Sequence, residues 1–310
     1  MSNDLEQNQA CWHSVVERIA PGGKLLRSRK LEGGVSAEVT ALEVLETSGE
    51  VLKLVVRRHG EADWRRDPNV ARKEFELLEL LHSQGMPVPT PYEAGGLGGT
   101  EESPYIVVAY VEGSSGMDEP NPNGSARRLA ETLVQLHRID ASSLPQGQLA
   151  SQSDRVAGKL ADKPAKLDES LDECLIRHVL EAAWPLVEAN HDAILHGDYW
   201  PGNTLWRDGA IAAVIDWEDA ATGDPLSDVA NARLEILWAY GEDASKAFTA
   251  RYQELMSTLS YVNLPYWDLT AALRPASRLS EWGLDGETER RMWERHKRFV
   301  QQALANIGLG

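Results

Sequence analysis

Three polar residues in one short stretch of the chain have types and spacing that suit a single chemical site. Asn203 and Asp216 offer an amide oxygen and a carboxylate. Mg²⁺ prefers such hard oxygen ligands and usually takes only one or two from the protein, filling the rest with water and substrate phosphates. Asp198 comes five residues before Asn203, across a Pro201-Gly202 turn that reverses the chain. These residues predict a base, Asp198, beside a metal pair formed by Asn203 and Asp216.

A hairpin must bring the metal pair together. Asp208-Gly209 lies between two apolar tracts, and this pair is a strong signal for a two-residue turn. Pairing residue 207 with residue 210 sets Asn203 opposite Val214, with Asp216 two residues further along the same face, because side chains alternate with period two. The diagonal separation between positions 203 and 216 is then roughly 7–8 Å, and a hydrated divalent cation can bridge that distance.

The complete string resembles the catalytic and metal loops of the protein-kinase-like superfamily. It reads His196-Gly-Asp, then Asn203, then Ile215-Asp-Trp and Gly223-Asp-Pro, and this form resembles the aminoglycoside phosphotransferase and choline kinase family. Protein kinases have His-Arg-Asp and Asp-Phe-Gly at the corresponding places. Because Gly197 and Trp217 replace the Arg and Phe, the resemblance favours a small-molecule kinase.

The resemblance implies an α+β, two-lobed protein-kinase-like fold with the site in the cleft between the lobes. We expect an N-terminal nucleotide-binding lobe over residues 1–112, built from a small antiparallel sheet and a helix. A larger, mostly helical catalytic and substrate-binding lobe would follow over residues 113–310. A chain of 310 residues exceeds the size at which single cores stop growing. Residues 141–166 contain few bulky apolar groups and predict a flexible connection over the acceptor site or an idle loop.

Two segments of the first lobe resemble nucleotide-binding positions of the family. Gly33, Gly34 and Ser36 form a glycine-rich turn between predicted strands, which in the family covers the nucleotide phosphates with backbone N–H groups. Taken alone, a Gly-Gly pair indicates an ordinary hairpin. The strand from Tyr105 ends near Tyr110 and Glu112. In the family, the backbone at this position hydrogen-bonds the nucleotide base.

An ion pair is expected to steady the phosphates. The resemblance places Arg57, at the end of a third strand, where protein kinases have Lys. In the helix predicted for residues 69–84, Glu74 shares the apolar stripe of Val70, Leu78 and Leu81. A carboxylate on an apolar face is costly without a partner, and Arg57 would supply one. The alternative is that Glu74 lies at the edge of the stripe and reaches water.

Three further residues resemble structural groups of the family. Asp224 and Asp228 are expected to cap the next helix and to brace the catalytic loop. His196 is expected to brace the same loop. Glu218 could face an acceptor amine or water, and the sequence does not decide between them.

Composition excludes several classes of protein. The net charge of −17 disfavours nucleic acid and anionic membrane surfaces and attracts cations, although it could serve solubility alone. The two cysteines have no paired spacing, and no leader or long apolar run is evident. We therefore expect a cytoplasmic protein without a zinc site.

Together these features predict a kinase that transfers the γ-phosphoryl group of ATP or GTP to a hydroxyl of a small molecule, with Mg²⁺ as cofactor. The acceptor would be an aminoglycoside, amino alcohol or sugar, and the acidic second lobe favours a cationic one. No nucleic acid or membrane partner is expected, and the protein would be a monomer or homodimer. The alternatives are a catalytically idle nucleotide-binding protein of the same fold, or a metal-dependent hydrolase with a further cluster of His and Asp ligands.

Overall fold

The computed structural model of the chain describes residues 12–31, 37–96, 103–276, 279 and 282–309. The chain divides into two compact units, Met1–Glu112 and Gly113–Gly310. The first contains an antiparallel sheet with helices, and the second is mostly helical. The predicted α+β class is confirmed. The turn containing Gly33, Gly34 and Ser36 lies outside the described residues.

The first unit is built on one five-stranded antiparallel sheet. Apolar residues alternate along its central strands, so that Leu42, Val44, Leu54 and Val56 share one buried face. Helix α1 (12–19) packs on this face through Trp12 and its neighbours. In sheet order, the strands are β1 (Lys24–Lys30), β2 (Ala37–Leu45), β3 (Val51–His59), β5 (Tyr105–Ala109) and β4 (Pro91–Gly95).

Helix α3 (Val70–Ser83) follows the short helix α2 (Glu61–Arg66). Its buried residues fall at helical spacing, and Glu74 is among them. The helix ends just before Gly85, whose φ of +76° continues the chain in a conformation that glycine adopts easily. Helix α2 buries no side chain, which explains why no apolar pattern predicts it.

The second unit packs helices around two small sheets. The helices are α4 (Pro122–His137), α5 (Gln152–Ala161), α6 (Glu173–Ala183), α7 (Leu226–Ala239), α8 (Glu242–Leu255), α9 (Leu264–Ala272) and α10 (Gly286–Ile307). The strands are β6 (Ser114–Ser115), β7 (Ala150–Ser151), β8 (Ala193–Leu195), β9 (Thr204–Arg207), β10 (Ala210–Val214) and β11 (Ala221–Gly223). The main contacts between helices are those of α4 with α8 and of α7 with α9. One sheet has the strand order β10-β9-β6 and the other has the order β7-β11-β8.

The prediction of a flexible connection over residues 141–166 is wrong. This segment contains β7, which pairs in parallel with β11, and helix α5. The Ser151 side chain caps α5 by accepting a hydrogen bond from the Asp154 amide at 3.2 Å. Only Val156 and Leu160 of this helix are buried, so its apolar stripe is too short to stand out in the sequence.

The β9–β10 hairpin has the predicted turn but not the predicted register. Asp208 and Gly209 both have positive φ, and Arg207 pairs with Ala210. A bulge at residue 212 then adds one residue to β10, so Val214 pairs with Thr204 and not with Asn203. The Ile215 amide instead donates to the Asn203 carbonyl at 2.9 Å. The side-chain alternation that predicted Asp216 on the same face as Asn203 therefore does not hold. Asp216 itself has a left-handed φ of 67°.

Across the described parts of both units, we find no helix whose length and hydropathy would allow it to cross a membrane.

The α4–α8 interface should be a major source of stability in the second unit. Leu133 of α4 is fully buried, whereas Gln135 on the same helix is exposed. We predict that Leu133→Ala lowers the free energy of unfolding in urea by about 2–5 kcal/mol, through lost burial and a residual cavity. Gln135→Ala should change it by less than about 0.5 kcal/mol. Equal effects of the two substitutions would contradict this packing.

Candidate functional site

The loop that carries Asp198 is held by one buried carboxylate. Asp228, in the first turn of α7, is 1% exposed. Its Oδ2 accepts the His196 amide hydrogen at 2.7 Å, and its Oδ1 accepts that of Gly197 at 2.9 Å. Burial alone would raise the pKa of Asp228, but the hydrogen bond and charge of His137 and the neighbouring His196 outweigh it and hold the pKa below its usual value. The predicted bracing role of Asp228 is confirmed by these contacts.

His196 braces the same loop from inside. Its Nδ1 accepts the Asp198 amide hydrogen at 3.2 Å, so the ring proton belongs on Nε2, which lies 3.0 Å from the Ile215 carbonyl. Burial lowers the pKa of His196 and favours this neutral form. The Trp217 ring packs 4.5 Å from the imidazole, centroid to centroid. His196 thus links the Asp198 loop to the chain that leads into Asp216.

Gly197 is required by the close approach of two chain segments. Its φ is +81°, and a Cβ atom built on it would lie 2.0 Å from the Asp219 carbonyl oxygen. No side chain fits there. This accounts for glycine at a position where protein kinases have arginine.

Asp198 is half-buried and contacts two side chains, one of which was not predicted. The Asn203 Nδ2 donates to the Asp198 carbonyl at 2.9 Å and to its Oδ2 at 3.1 Å. Arg274 Nη2 donates to Asp198 Oδ1 at 2.7 Å. The carboxylate is therefore fixed from both sides while remaining 29% exposed.

Arg274 ties this loop to the segment that follows α9. Its Nη1 donates to the Gly197 carbonyl at 2.5 Å and to Asn231 Oδ1 at 2.9 Å. Sequence reasoning missed Arg274 because it lies far along the chain from Asp198, in a segment without a motif.

The residues predicted to hold a metal suit Mg²⁺ by their chemistry. Both partners of the Asn203 amide nitrogen are acceptors, so the side-chain Oδ1 is the amide atom turned away from Asp198. Asn203 also bonds through its carbonyl to Ile215, the residue next to Asp216. One amide oxygen and one carboxylate match the usual protein contribution to a magnesium site. The described residues contain no group of three or more His, Cys, Asp or Glu that could hold a metal ion.

In the first unit, the predicted Arg57–Glu74 ion pair is present, with Arg57 Nη1 2.9 Å from Glu74 Oε2. The buried His59 adds a contact that the sequence did not predict, with its Nε2 3.1 Å from the same oxygen. Burial alone would raise the pKa of Glu74, but the Arg57 charge and the adjacent His59 hold it below its ordinary value. Glu74 does not reach water as the alternative required, because its side chain is only 7% exposed.

Tyr110 and Glu112 line a pocket of about 120 Å³ against β1, β2 and β3. The Tyr110 amide already donates to the Lys53 carbonyl at 3.0 Å, so this N–H is engaged within the unit. Lys53 also forms an ion pair with Glu112.

Two other carboxyls of the second unit have distinct environments. Asp224 accepts the Leu226 amide hydrogen at 2.9 Å in the first turn of α7, which confirms its predicted capping role. Glu235, which the sequence analysis did not single out, has its pKa raised to about 8 by burial and by the nearby Asp198 charge, with Arg274 opposing. A carboxyl in mid-helix offers no local signal of such a shift.

The steric constraint at Gly197 can be tested against a matched glycine. Gly209 has a similar φ of +71° but open space around its Cβ position. We predict that Gly209→Ala costs about 1–2 kcal/mol of unfolding free energy from backbone strain alone. Gly197→Ala should cost clearly more, because the Asp219 backbone must also move. Similar unfolding midpoints for the two variants would contradict the close approach.

The Arg57–Glu74 pair predicts a pH-dependent stability. The pKa of Glu74 is lowered from 4.5 in the folded state, so its contribution is present above pH 4.5 and is lost as pH falls through the lower folded value. Glu74→Gln should therefore destabilise the protein at pH 7, and the gap from wild type in unfolding free energy should narrow below about pH 4. Glu79→Gln, an exposed change on the same helix, is the control. A gap that stays constant with pH would refute the pairing.

Comparison with known proteins gives similarity over most of the chain. The sequence profile of the phosphotransferase enzyme family (APH) matches residues 28–260. Acyl-CoA dehydrogenase family member 11 of Gallus gallus is 29% identical over 213 residues, which cover 63% of this chain and 26% of that protein. Viomycin phosphotransferase of Streptomyces vinaceus is 26% identical over 179 residues, which cover 51% of this chain and 58% of the relative. The chain thus spans only about a quarter of the first relative's length.

Solved structures share the fold. A thermostable mutant of aminoglycoside phosphotransferase APH(4)-Ia, in a ternary complex with ADP and hygromycin B, aligns with a TM-score of 0.64. The alignment covers 93% of this chain and 97% of that chain at 19% identity. With the profile match over residues 28–260, these findings show that the chain belongs to the phosphotransferase enzyme family and has its protein-kinase-like fold.

Proposed function

We propose that this protein is a small-molecule kinase that transfers the γ-phosphoryl group of ATP or GTP to an acceptor hydroxyl. The observation that carries the proposal is the fixed, solvent-accessible carboxylate of Asp198, bonded to Asn203 on a loop that a buried Asp228 holds in place. Phosphoryl transfer needs little covalent chemistry from the protein, and positioning with charge stabilisation supplies most of the catalysis. The site has the groups for both tasks.

Asp198 is the proposed base. It accepts the hydrogen bond of the acceptor hydroxyl and takes its proton as the new O–P bond forms and the bond to the nucleotide leaving oxygen breaks. Asn203 fixes the orientation of Asp198 through its two donated bonds. Arg274 fixes the other carboxylate oxygen of Asp198, Oδ1, by donating a hydrogen bond to it.

Asn203 and Asp216 would hold Mg²⁺. When bound, the ion would neutralise charge that develops on the phosphate oxygens. The donor set supports this assignment, because it offers hard oxygen ligands and few of them.

Nucleotide binding is assigned to residues of the first unit, 1–112, and acceptor binding to residues 113–310. Arg57 would contact the phosphates while Glu74 keeps its guanidinium in place. Gly33, Gly34 and Ser36 would close over the phosphates. Tyr110 and Glu112 would border the nucleotide base, and the Tyr110 amide would not contact it, because this N–H donates to the Lys53 carbonyl. We further propose a cytoplasmic enzyme that acts as a monomer or homodimer.

The relatives support a small hydroxylated acceptor. One is named for phosphorylation of viomycin, and the structural neighbour holds hygromycin B. An aminoglycoside, amino alcohol or sugar follows by analogy with these two proteins. The idle-protein alternative is disfavoured because Asp198, Asn203 and Asp216 are all retained.

The proposal predicts magnesium-dependent release of ADP or GDP with at least one member of a panel of aminoglycosides, amino alcohols, sugars and hydroxy acids. Asp198→Asn should lower kcat by about 10²–10⁴-fold, because it removes the base and leaves the side-chain volume unchanged. Asp192→Asn, an exposed change just before β8, is the matched control. Nucleotide binding without acceptor-dependent turnover in the whole panel would favour the idle protein.

A further inference from the structure

We propose that the acceptor is an anion: a small alcohol carrying a carboxylate or phosphate group, which binds in a basic pocket beside Asp198. This inference rests on the proposed kinase function and names its substrate class. It reverses the expectation of a cationic acceptor that the overall charge suggests.

The pocket has a volume of about 250 Å³ and lies wholly within the second unit. Its described lining residues include three permanent cations, Arg155, Lys159 and Arg274, and one carboxylate, Asp219, whose Oδ2 lies 3.8 Å from Arg274 Nη2. The chain as a whole has 48 acidic and 31 basic residues, so a pocket with the opposite balance is unlike its surroundings. Such a pocket attracts anions and repels amines.

The cations are anchored along the pocket wall. Arg155 donates to the carbonyls of Asp219 at 2.6 Å and Ala220 at 3.1 Å, and Lys159 donates to that of Leu273 at 2.9 Å. Both residues lie on one face of α5, because they are four positions apart. Charge-assisted bonds from anchored guanidinium and ammonium groups are the usual means of binding carboxylates and phosphates.

The pocket adjoins the proposed base. Gly197, the neighbour of Asp198, lines it, and Arg274 both lines the pocket and bonds to the Asp198 carboxylate. An acceptor whose anionic group contacts these cations therefore has its hydroxyl within a few atoms of Asp198. Arg274 also offsets the charge of Asp198. Glu235 is not among the described residues that line the pocket, and burial raises the pKa of its carboxyl to about 8.

Binding can be tested without nucleotide, using probes that share a three-carbon skeleton: glycerol, glycerate, glycerol 3-phosphate and 3-amino-1,2-propanediol. Trp267 lines the pocket and provides a fluorescence signal, with thermal stabilisation as a second readout. We expect an anionic probe to bind about 10–100-fold more tightly than glycerol, and the cationic probe to bind no better than glycerol. Comparing glycerate with glycerol 3-phosphate identifies which anion the pocket takes.

Lys159 provides the matched variants. Lys159→Met should weaken binding of the preferred anion about tenfold while leaving glycerol unchanged, and Lys159→Arg should restore most of it. Lys163→Met is the control, because Lys163 is an exposed lysine shortly after α5 and outside the pocket lining. Equal binding of the preferred anion by Lys159→Met and Lys163→Met would overturn the assignment.

The same probes, with magnesium and ATP or GTP, separate the two proposals. Tighter binding or turnover of the cationic probe, or no preference for either anion, would overturn the anionic class while leaving the kinase intact. The turnover assay is extended to four- and five-carbon hydroxy acids and to sugar phosphates. Anion binding without nucleotide release with any of these compounds would refute the proposed kinase function and leave the pocket as an anion-binding site. Turnover of the anionic probes that bind, lost in the Asp198→Asn variant, would support both the kinase function and the anionic acceptor class.

Discussion

The site in the second unit depends on one buried charge. An isolated carboxylate in a protein interior is strongly unfavourable, and Asp228 is stable there only because the His196 and Gly197 amides and the His137 ring surround it. These donors are available only when the loop folds back over the start of α7. The need to satisfy the carboxylate therefore fixes the loop backbone. The positions of Asp198 and Asn203 follow from that backbone, so the geometry of the proposed reacting groups is set by a residue outside them.

Residues with a local physical signature were predictable. The Asp208-Gly209 pair dictates its turn because both positions need positive φ, and Glu74 was found because a carboxylate in an apolar stripe requires a partner. The bulge at residue 212 was not predictable, because an alanine among alanines and other apolar residues gives no signal of an extra position. Arg274 was missed for a different reason. Its contact with Asp198 joins segments 76 positions apart, and only the folded chain brings them together.

The net charge of the protein differs in sign from the charge of the side chains that line the pocket beside the Asp198 loop. A net charge of −17 describes the average field, which governs solubility and encounters at long range. A ligand in contact with the protein responds instead to the few groups within a screening length of about 10 Å. Arg155 and Lys159 lie on α5 and Arg274 lies in the segment after α9, and no count along the chain would associate them. Local specificity in this protein is therefore a property of its tertiary packing.

The parallel pairing of β7 with β11 has a structural consequence. It fixes the base of α5 to the sheet that also holds β8, the strand that leads into the Asp198 loop. The buried residues of α5, Val156 and Leu160, maintain its packing, whereas Arg155 and Lys159 lie on its exposed surface. In the proposed enzyme these two residues would contact the acceptor, and they also hold the backbone carbonyls of Asp219, Ala220 and Leu273. The proposed acceptor contacts and the proposed base would therefore lie on different elements that one small sheet joins.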